Sequence, residues 1–275
     1  MKSDIVFGQY VEGRSLIHRL DARIKIIIAI LYIVAIFLAK SVTAFALLVV
    51  LAGVFVGMTG ISPRLILKSM KPLLFIIIFT AVINIFWMSG KNLLVEFWVI
   101  KIYLEGVINA ILIVLRIMLL IIATSVFMTY TTTPLALTDA LEHLLSPLKK
   151  IRVPVHEFSM MMTIALRFIP TLIDETHKII NAQTARGADF TSGNIIRRAK
   201  ALIPILIPLF ISAFRRADEL ATAMECRCYT GGEGRTRMNV PKTDAKDWLF
   251  LAGVIIIGAA VVLLNIYVPI YKLAV

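Results

Sequence analysis

Two short triplets carry the most distinctive chemistry in this 275-residue chain: Ala185-Arg186-Gly187 within AQTARGADF, and Cys226-Arg227-Cys228 within AMECRCYTGGEGRTR. In each, a guanidinium stands between residues small enough to leave it uncrowded. Such a group can enter a groove on a partner and lay its planar fork of N–H donors on carboxylates. Gly187 and Gly231-Gly232 are helix-stop signals, so both arginines are expected at C-terminal helix ends, where a cation complements the helix dipole. One such triplet alone would read as a dipole-capping arginine. Two, on consecutive helices of one segment, read as paired docking points.

Other reactive residue types do not gather into a recognisable site. Cys226 and Cys228 are the only cysteines; a C-x-C pair lacks the second ligand pair of a zinc knuckle and reads as two reduced thiols. His156-Glu157 is not continued as H-E-x-x-H. GGEGRT at 231–236 lacks the lysine of a phosphate loop and follows no strand. The expectation is a chain with no enzyme activity, no cofactor and no metal. A membrane enzyme acting on lipid would need a polar cluster in or near its spans, which offer Arg116, Asn84, Asn109 and little else. A self-contained permease would need a polar route through the same spans.

The elements that must position the triplets are set by hydropathy. The chain is 59% hydrophobic with a mean hydropathy of +0.89, beyond the roughly 45–50% apolar content of soluble domains. Apolar runs at 24–39, 42–59, 72–88, 106–129 and 247–270 approach or reach the length that crosses a bilayer. Placing the N-terminus in the cytoplasm puts 24 of the 29 Lys/Arg inside and four outside, which the positive-inside rule requires. Five spans then leave the C-terminus extracellular. The net charge of +12 is thus largely accounted for by topology, and no nucleic-acid partner is expected. No removable signal peptide is evident at the N-terminus.

The segment 131–246 is too polar to span. Its apolar stretches, near 160–173 and 201–214, are each interrupted by proline, and arginines flank the second on both sides. They continue as amphipathic helices, with Phe158, Met161, Met162, Ala165 and Ile169 on one stripe and Phe210, Phe214, Ala217 and Leu220 on another. Arg215 and Glu219 are spaced to pair on one helix face. A third helix is expected at 134–148 with Thr133 as N-cap. The run Met160-Met161-Met162 suits an adaptable binding surface, or fills an irregular core. Arg116, inside a span, is expected to pair with a carbonyl or with Asn109. Gly53 and Gly57 form a weak G-x-x-x-G contact signal. The fold class expected is an all-α membrane protein: about five transmembrane helices plus a cytoplasmic coupling domain of three amphipathic helices. The expected domains are 1–130 (four spans), 131–246 (coupling helices) and 247–275 (a C-terminal span).

AQTARGADF and PLFISAFRRADELATAMECRCYTGGEGRT together resemble the double Xaa-Arg-Xaa signature of the EcfT family, the T components of energy-coupling factor transporters. GQYVEGRSLIHRLDARIK near the N-terminus and TTTPLALTDALEHLLSPLKKIRVPVHEFSMMMTIALRFIPTLIDE in the middle are similar to that family as well. The second triplet departs from the Ala-Arg-Gly usual there, but keeps the arginine and its small neighbours. The resemblance implies a plasma-membrane scaffold for vitamin uptake that binds two cytoplasmic ATPase subunits and a substrate-specific S component. It implies that Ala185, Arg186, Gly187, Cys226, Arg227 and Cys228 form the ATPase-binding sites. Met160, Met161 and Met162 are the candidates for S-component contact. A T component dedicated to cobalt, nickel or biotin is the alternative.

Overall fold

The computed structural model describes residues 10–13, 15–88, 92–97, 100–188, 190, 194–232 and 243–267. In chain order the helices are α1 Leu16–Arg19, α2 Ala22–Leu38, α3 Val42–Thr59, α4 Pro63–Met70 and α5 Leu74–Trp87; then a hairpin of β1 Leu93–Phe97 and β2 Ile100–Tyr103; then α6 Leu104–Thr124, α7 Pro134–Leu144, α8 Val155–Ala185, α9 Ile195–Glu225 and α10 Ala245–Tyr267. Polar caps start several of them. Asp21 Oδ1 accepts from the Arg23 amide at 2.9 Å, and Thr133 Oγ1 accepts from the Ala136 amide at 3.2 Å, as expected for α7.

Among the described residues, four stretches are long and apolar enough to cross a membrane: Val42–Thr59, Pro63–Trp87, Leu104–Tyr130 and Ala245–Tyr267. With 17 residues, α2 sits at the short end of the spanning range. The second stretch begins earlier than the hydropathy reading, which started a span at 72. Residues 63–70 form α4, and Pro72 lies in a one-turn 3-10 segment, Lys71–Leu73, that joins it to α5. A proline at the first positions of a helical turn gives up an N–H that has no partner there anyway, so the helical path continues. The alternating segment after α5 forms the antiparallel β1–β2 hairpin.

The chain divides into two units, one comprising the residues up to Ala140 with those from Val240, the other Leu141–Asn239. In the first, α10 packs on α2 and α3, and α6 on α2, α3 and α5. Ile28, Tyr32, Ile36, Phe45, Leu48, Phe127 and Val261 are buried there. Tyr32 donates its hydroxyl to the Leu48 carbonyl at 2.8 Å, and the Phe55 ring meets those of Tyr32 and Phe127 edge-on.

Polar side chains close the backbone where helices end. The turn between α2 and α3 is held by Asn265 of α10. Its Oδ1 accepts from the Lys40 and Ser41 amides and the Ser41 hydroxyl, and its Nδ2 donates to the Leu38 carbonyl at 2.7 Å. Arg116 of α6 donates Nη2 to the Ala39 carbonyl at 3.0 Å and lies over the Phe45 ring. Of the two partners expected for Arg116, the carbonyl is therefore the one found; Asn109 donates to Met88 Sδ. At the opposite end of α2, Lys25 Nζ donates to the Thr131 carbonyl at 2.7 Å and to the His18 carbonyl. Asp247 at the start of α10 accepts from the Asp21 amide. α6 ends in a π-helical turn, Ser125–Tyr130, whose carbonyls accept from the Thr131 and Thr132 hydroxyls and from the Val11 amide. Helix-end carbonyls without such partners would be costly in an apolar medium. Among the described residues the Gly53–Gly57 pair serves no close contact, since a Cβ on either would meet nothing within 4 Å.

Candidate docking site

Both triplets end a helix, and they do so with the same backbone motif. At the end of α8 the Gly187 amide donates to Thr184 O at 2.9 Å and the Ala188 amide to Gln183 O at 3.0 Å. At the end of α9 the Cys228 amide donates to Glu225 O at 2.8 Å and the Tyr229 amide to Met224 O at 3.0 Å. This crossed pair of bonds is the Schellman cap, and it requires a left-handed residue immediately after the cap position. Gly187 has φ +86° and Cys228 has φ +56°. The motif explains each triplet residue in turn. The first residue closes α8 at Ala185 and directly follows α9 at Cys226, the arginine is the C-cap, and the third carries the left-handed backbone. Glycine takes that conformation freely; cysteine takes it at a cost of roughly 1–2 kcal/mol.

All six triplet residues are exposed, and Cys226 and Cys228 are free thiols. Each guanidinium therefore projects from a helix end whose partial negative charge favours it.

α8 and α9 are 31 residues each, about 46 Å of helix, and they pack together in opposite directions. His156 in the first turn of α8 lies against Gly232, just past α9, where a Cβ would sit 2.5 Å from the ring. Further along α8, Glu175 Oε2 meets Arg216 Nη2 of α9 at 2.7 Å. The Ser212 hydroxyl and the Arg216 guanidinium hold the Glu175 carboxyl below the usual carboxylate range. His156 Nδ1 also meets Glu142 Oε1 of α7 at 3.0 Å, tying the third helix to the pair. Pro170 in α8 and Pro204 and Pro208 in α9 lie inside helices that continue through them.

The exposed large apolar residues are unevenly placed. On α8 they are Phe158, Met161 and Met162; Met160 beside them is partly buried. On α9 they run from Ile196 to Phe214. The methionine run thus faces outward at two of its three positions. The sequence reading singled out the triplets and the methionines but missed Glu175 and Ser212, and paired the neighbouring Arg215 along its own helix. The ion pair found between the helices is Arg216–Glu175. Among the described residues no group of three or more His, Cys, Asp or Glu side chains is placed to hold a metal ion.

The family model described as cobalt transport protein, CbiQ, matches residues 13–238. Three curated relatives share the description energy-coupling factor transporter transmembrane protein EcfT. One, from Ruminiclostridium cellulolyticum, is 53% identical over 98% of this chain and 99% of its own. Those from Clostridium kluyveri and Bacillus subtilis are 52% and 44% identical, over 90% and 94% of this chain and 92% and 97% of their own. The chain belongs to the EcfT family. It is a transmembrane component of an energy-coupling factor transporter and not an enzyme. The double Xaa-Arg-Xaa signature that pointed to EcfT is, in this member, a pair of exposed Schellman-capped arginines.

Proposed function

We propose that this chain is the scaffold that couples ATP hydrolysis to uptake of a vitamin or other micronutrient. In this reading Arg186 and Arg227 each seat in a groove of one of two ATP-hydrolysing subunits on the cytoplasmic side. Ala185, Gly187, Cys226 and Cys228 let the guanidinium approach. Closure of the ATPases on ATP displaces α8 and α9 relative to one another, and a substrate-binding S component resting on the Met160–Met162 region reorients in the membrane. The single observation that carries the reading is the repetition of one cap geometry with one exposed arginine at the ends of two paired helices. An isolated arginine at a helix end is explained by the dipole alone; two in the same motif suit a partner presenting two equivalent grooves.

The orientation proposed has the N-terminus and 131–246 in the cytoplasm and the C-terminus outside the plasma membrane, supported by the 24-to-four partition of Lys/Arg. A dedicated scaffold for cobalt, nickel or biotin is the second reading, and the cobalt transport family match favours it. Affinity purification of the tagged chain from native membranes in mild detergent tests both. Recovery of two ATPase chains with several different small membrane proteins supports the shared vitamin scaffold. Recovery with one invariant membrane partner supports the dedicated one, and recovery without ATPases contradicts both.

A further inference from the structure

We propose that the cavity where α2 begins holds the headgroup of a phosphatidylethanolamine lipid, with its phosphate on Arg19 and Arg23 and its ammonium on Asp21 and Asp139. The site lies wholly within the first unit and is independent of the docking arginines.

The cavity measures about 250 Å³, below the roughly 300–1,000 Å³ of pockets that take drug-sized ligands. Arg19, Asp21 and Arg23 line it together with Asp139 of α7, and Ala136 and Ala140 of the same helix leave it room. Its charged lining is therefore two cations and two anions. Two of these groups are unsatisfied among the described residues. The Asp21 side chain is only 5% exposed; its Oδ1 caps α2, whereas its Oδ2 has no hydrogen-bond partner. Arg23 Nε and Nη2 are likewise buried without an acceptor, and Nε stands 4.0 Å from Asp21 Oδ1, too far to bond. The neighbouring charges are already engaged: Lys25 Nζ with the His18 and Thr131 carbonyls, and the two Asp247 oxygens with the Asp21 and Asp244 amides. A buried carboxylate oxygen and a buried guanidinium left open beside one cavity are costly, and a ligand that brings both a donor and an acceptor removes that cost.

Charge balance selects the ligand. An anionic headgroup would set its phosphate beside two carboxylates and leave Asp21 Oδ2 open. A metal cation would face two guanidiniums. A zwitterion with a phosphate and a primary ammonium answers all four side chains. A choline headgroup does not, because its trimethylated nitrogen has no hydrogen to donate. Position selects a lipid over a free headgroup. Asp21 caps the start of α2, and its amide donates to Asp247 in the first turn of α10. Lys25, in the first turn of α2, reaches Thr131, one residue past the apolar stretch Leu104–Tyr130. Trp248, next to Asp247, is exposed, as tryptophans at a membrane–water interface are. Three apolar helices thus end at the level of the cavity, which is headgroup depth. In the orientation proposed above this is the cytoplasmic leaflet.

Native mass spectrometry of the full-length chain tests the site. Phosphatidylethanolamine, phosphatidylcholine and phosphatidylglycerol with the same acyl chains are supplied in equal amounts, and the retained lipid is read. The parent chain is expected to keep phosphatidylethanolamine about tenfold over either competitor, as one charge-assisted hydrogen bond provides. Asp21→Asn keeps a side chain that caps helices as well as aspartate does but removes the anion, and its preference is expected to pass to phosphatidylglycerol. Asp139→Asn, on an exposed residue, is expected to shift the preference the same way. Arg23→Gln is expected to lower phosphatidylethanolamine retention about tenfold. Equal retention of the three lipids by the parent chain, or an unchanged preference in Asp21→Asn or in Asp139→Asn, overturns the site. Glycerophosphoethanolamine, the same headgroup without acyl chains, is expected to leave the lipid in place at equal concentration; displacement there would assign the cavity to a soluble headgroup and overturn the lipid as its occupant.

Discussion

Exchanging the third residues of the two triplets should move the stability of the two caps in opposite directions. Gly187 and Cys228 occupy the same left-handed position of the same motif, at φ +86° and +56°. A Cβ built on Gly187 meets nothing within 4 Å, so a side chain there adds backbone strain and no collision. A non-glycine residue in this region costs roughly 1–2 kcal/mol, and glycine gives back about 0.4–1 kcal/mol through the freedom of its unfolded chain. The net worth of glycine at this position is about 1 kcal/mol. Cys228→Gly should therefore strengthen the α9 cap by about 1 kcal/mol, and Gly187→Cys should weaken the α8 cap by the same amount. Hydrogen–deuterium exchange of the purified chain reads this locally, because the amides at risk are those that close the motif: Gly187 and Ala188 in one cap, Cys228 and Tyr229 in the other. A difference of 1 kcal/mol is about a fivefold change in protection factor. Protection should rise about fivefold at 228 and 229 in the first variant and fall about fivefold at 187 and 188 in the second. Changes of the same sign in both, or none in either, would refute the shared cap geometry.

Asn265→Leu removes four hydrogen bonds from the α2–α3 turn. At about 0.6 kcal/mol per interhelical bond in a membrane protein, unfolding in mixed detergent should show a loss of about 2.4 kcal/mol, whereas the lipid-facing control Ile266→Leu should show almost none. Aspartate at positions 160–162 should release the S component while ATPases stay bound; unchanged uptake would assign the methionines to packing. Acid should loosen the α8–α9 pair. The Glu175 carboxyl is held below its ordinary value in the fold, so its contribution is present above the ordinary carboxylate range and fades as pH falls through the lowered value. Spin-label distances across the pair should broaden on acidification in the parent chain and be unchanged by pH in Glu175→Gln.

Much of this architecture was legible from residues alone, because long apolar runs have few alternatives to crossing a bilayer and amphipathic stripes mark helices wherever charges sit. The arginines were placed at helix ends because Gly187 and Gly231-Gly232 are stop signals. The left-handed backbone at Cys228 carried no such signal, since cysteine rarely takes it; only the parallel with Gly187 suggests it in hindsight. α4 was missed because Lys68, Lys71 and Pro72 break the hydropathy of a stretch that helical geometry carries through. Asn265 was passed over as one polar residue near the end of a span, and its role appears only when α10 lies beside the α2–α3 turn. The choice between Arg215 and Arg216 turns on about 100° of helix rotation, which decides which one faces α8. Glu175 and Arg216 lie 41 residues apart in sequence, and no local spacing rule joins them.

The central claim is that Arg186 and Arg227 each hold one ATPase. The direct measurement is the number of ATPase subunits retained per tagged chain after purification in mild detergent, for the parent, Arg186→Glu, Arg227→Glu and the double variant. A reversed charge would leave groove carboxylates facing a like charge, a far larger penalty than loss of a surface ion pair. Retention should fall from two subunits to about one in each single variant and to none in the double. Two subunits retained by the double variant would contradict the claim.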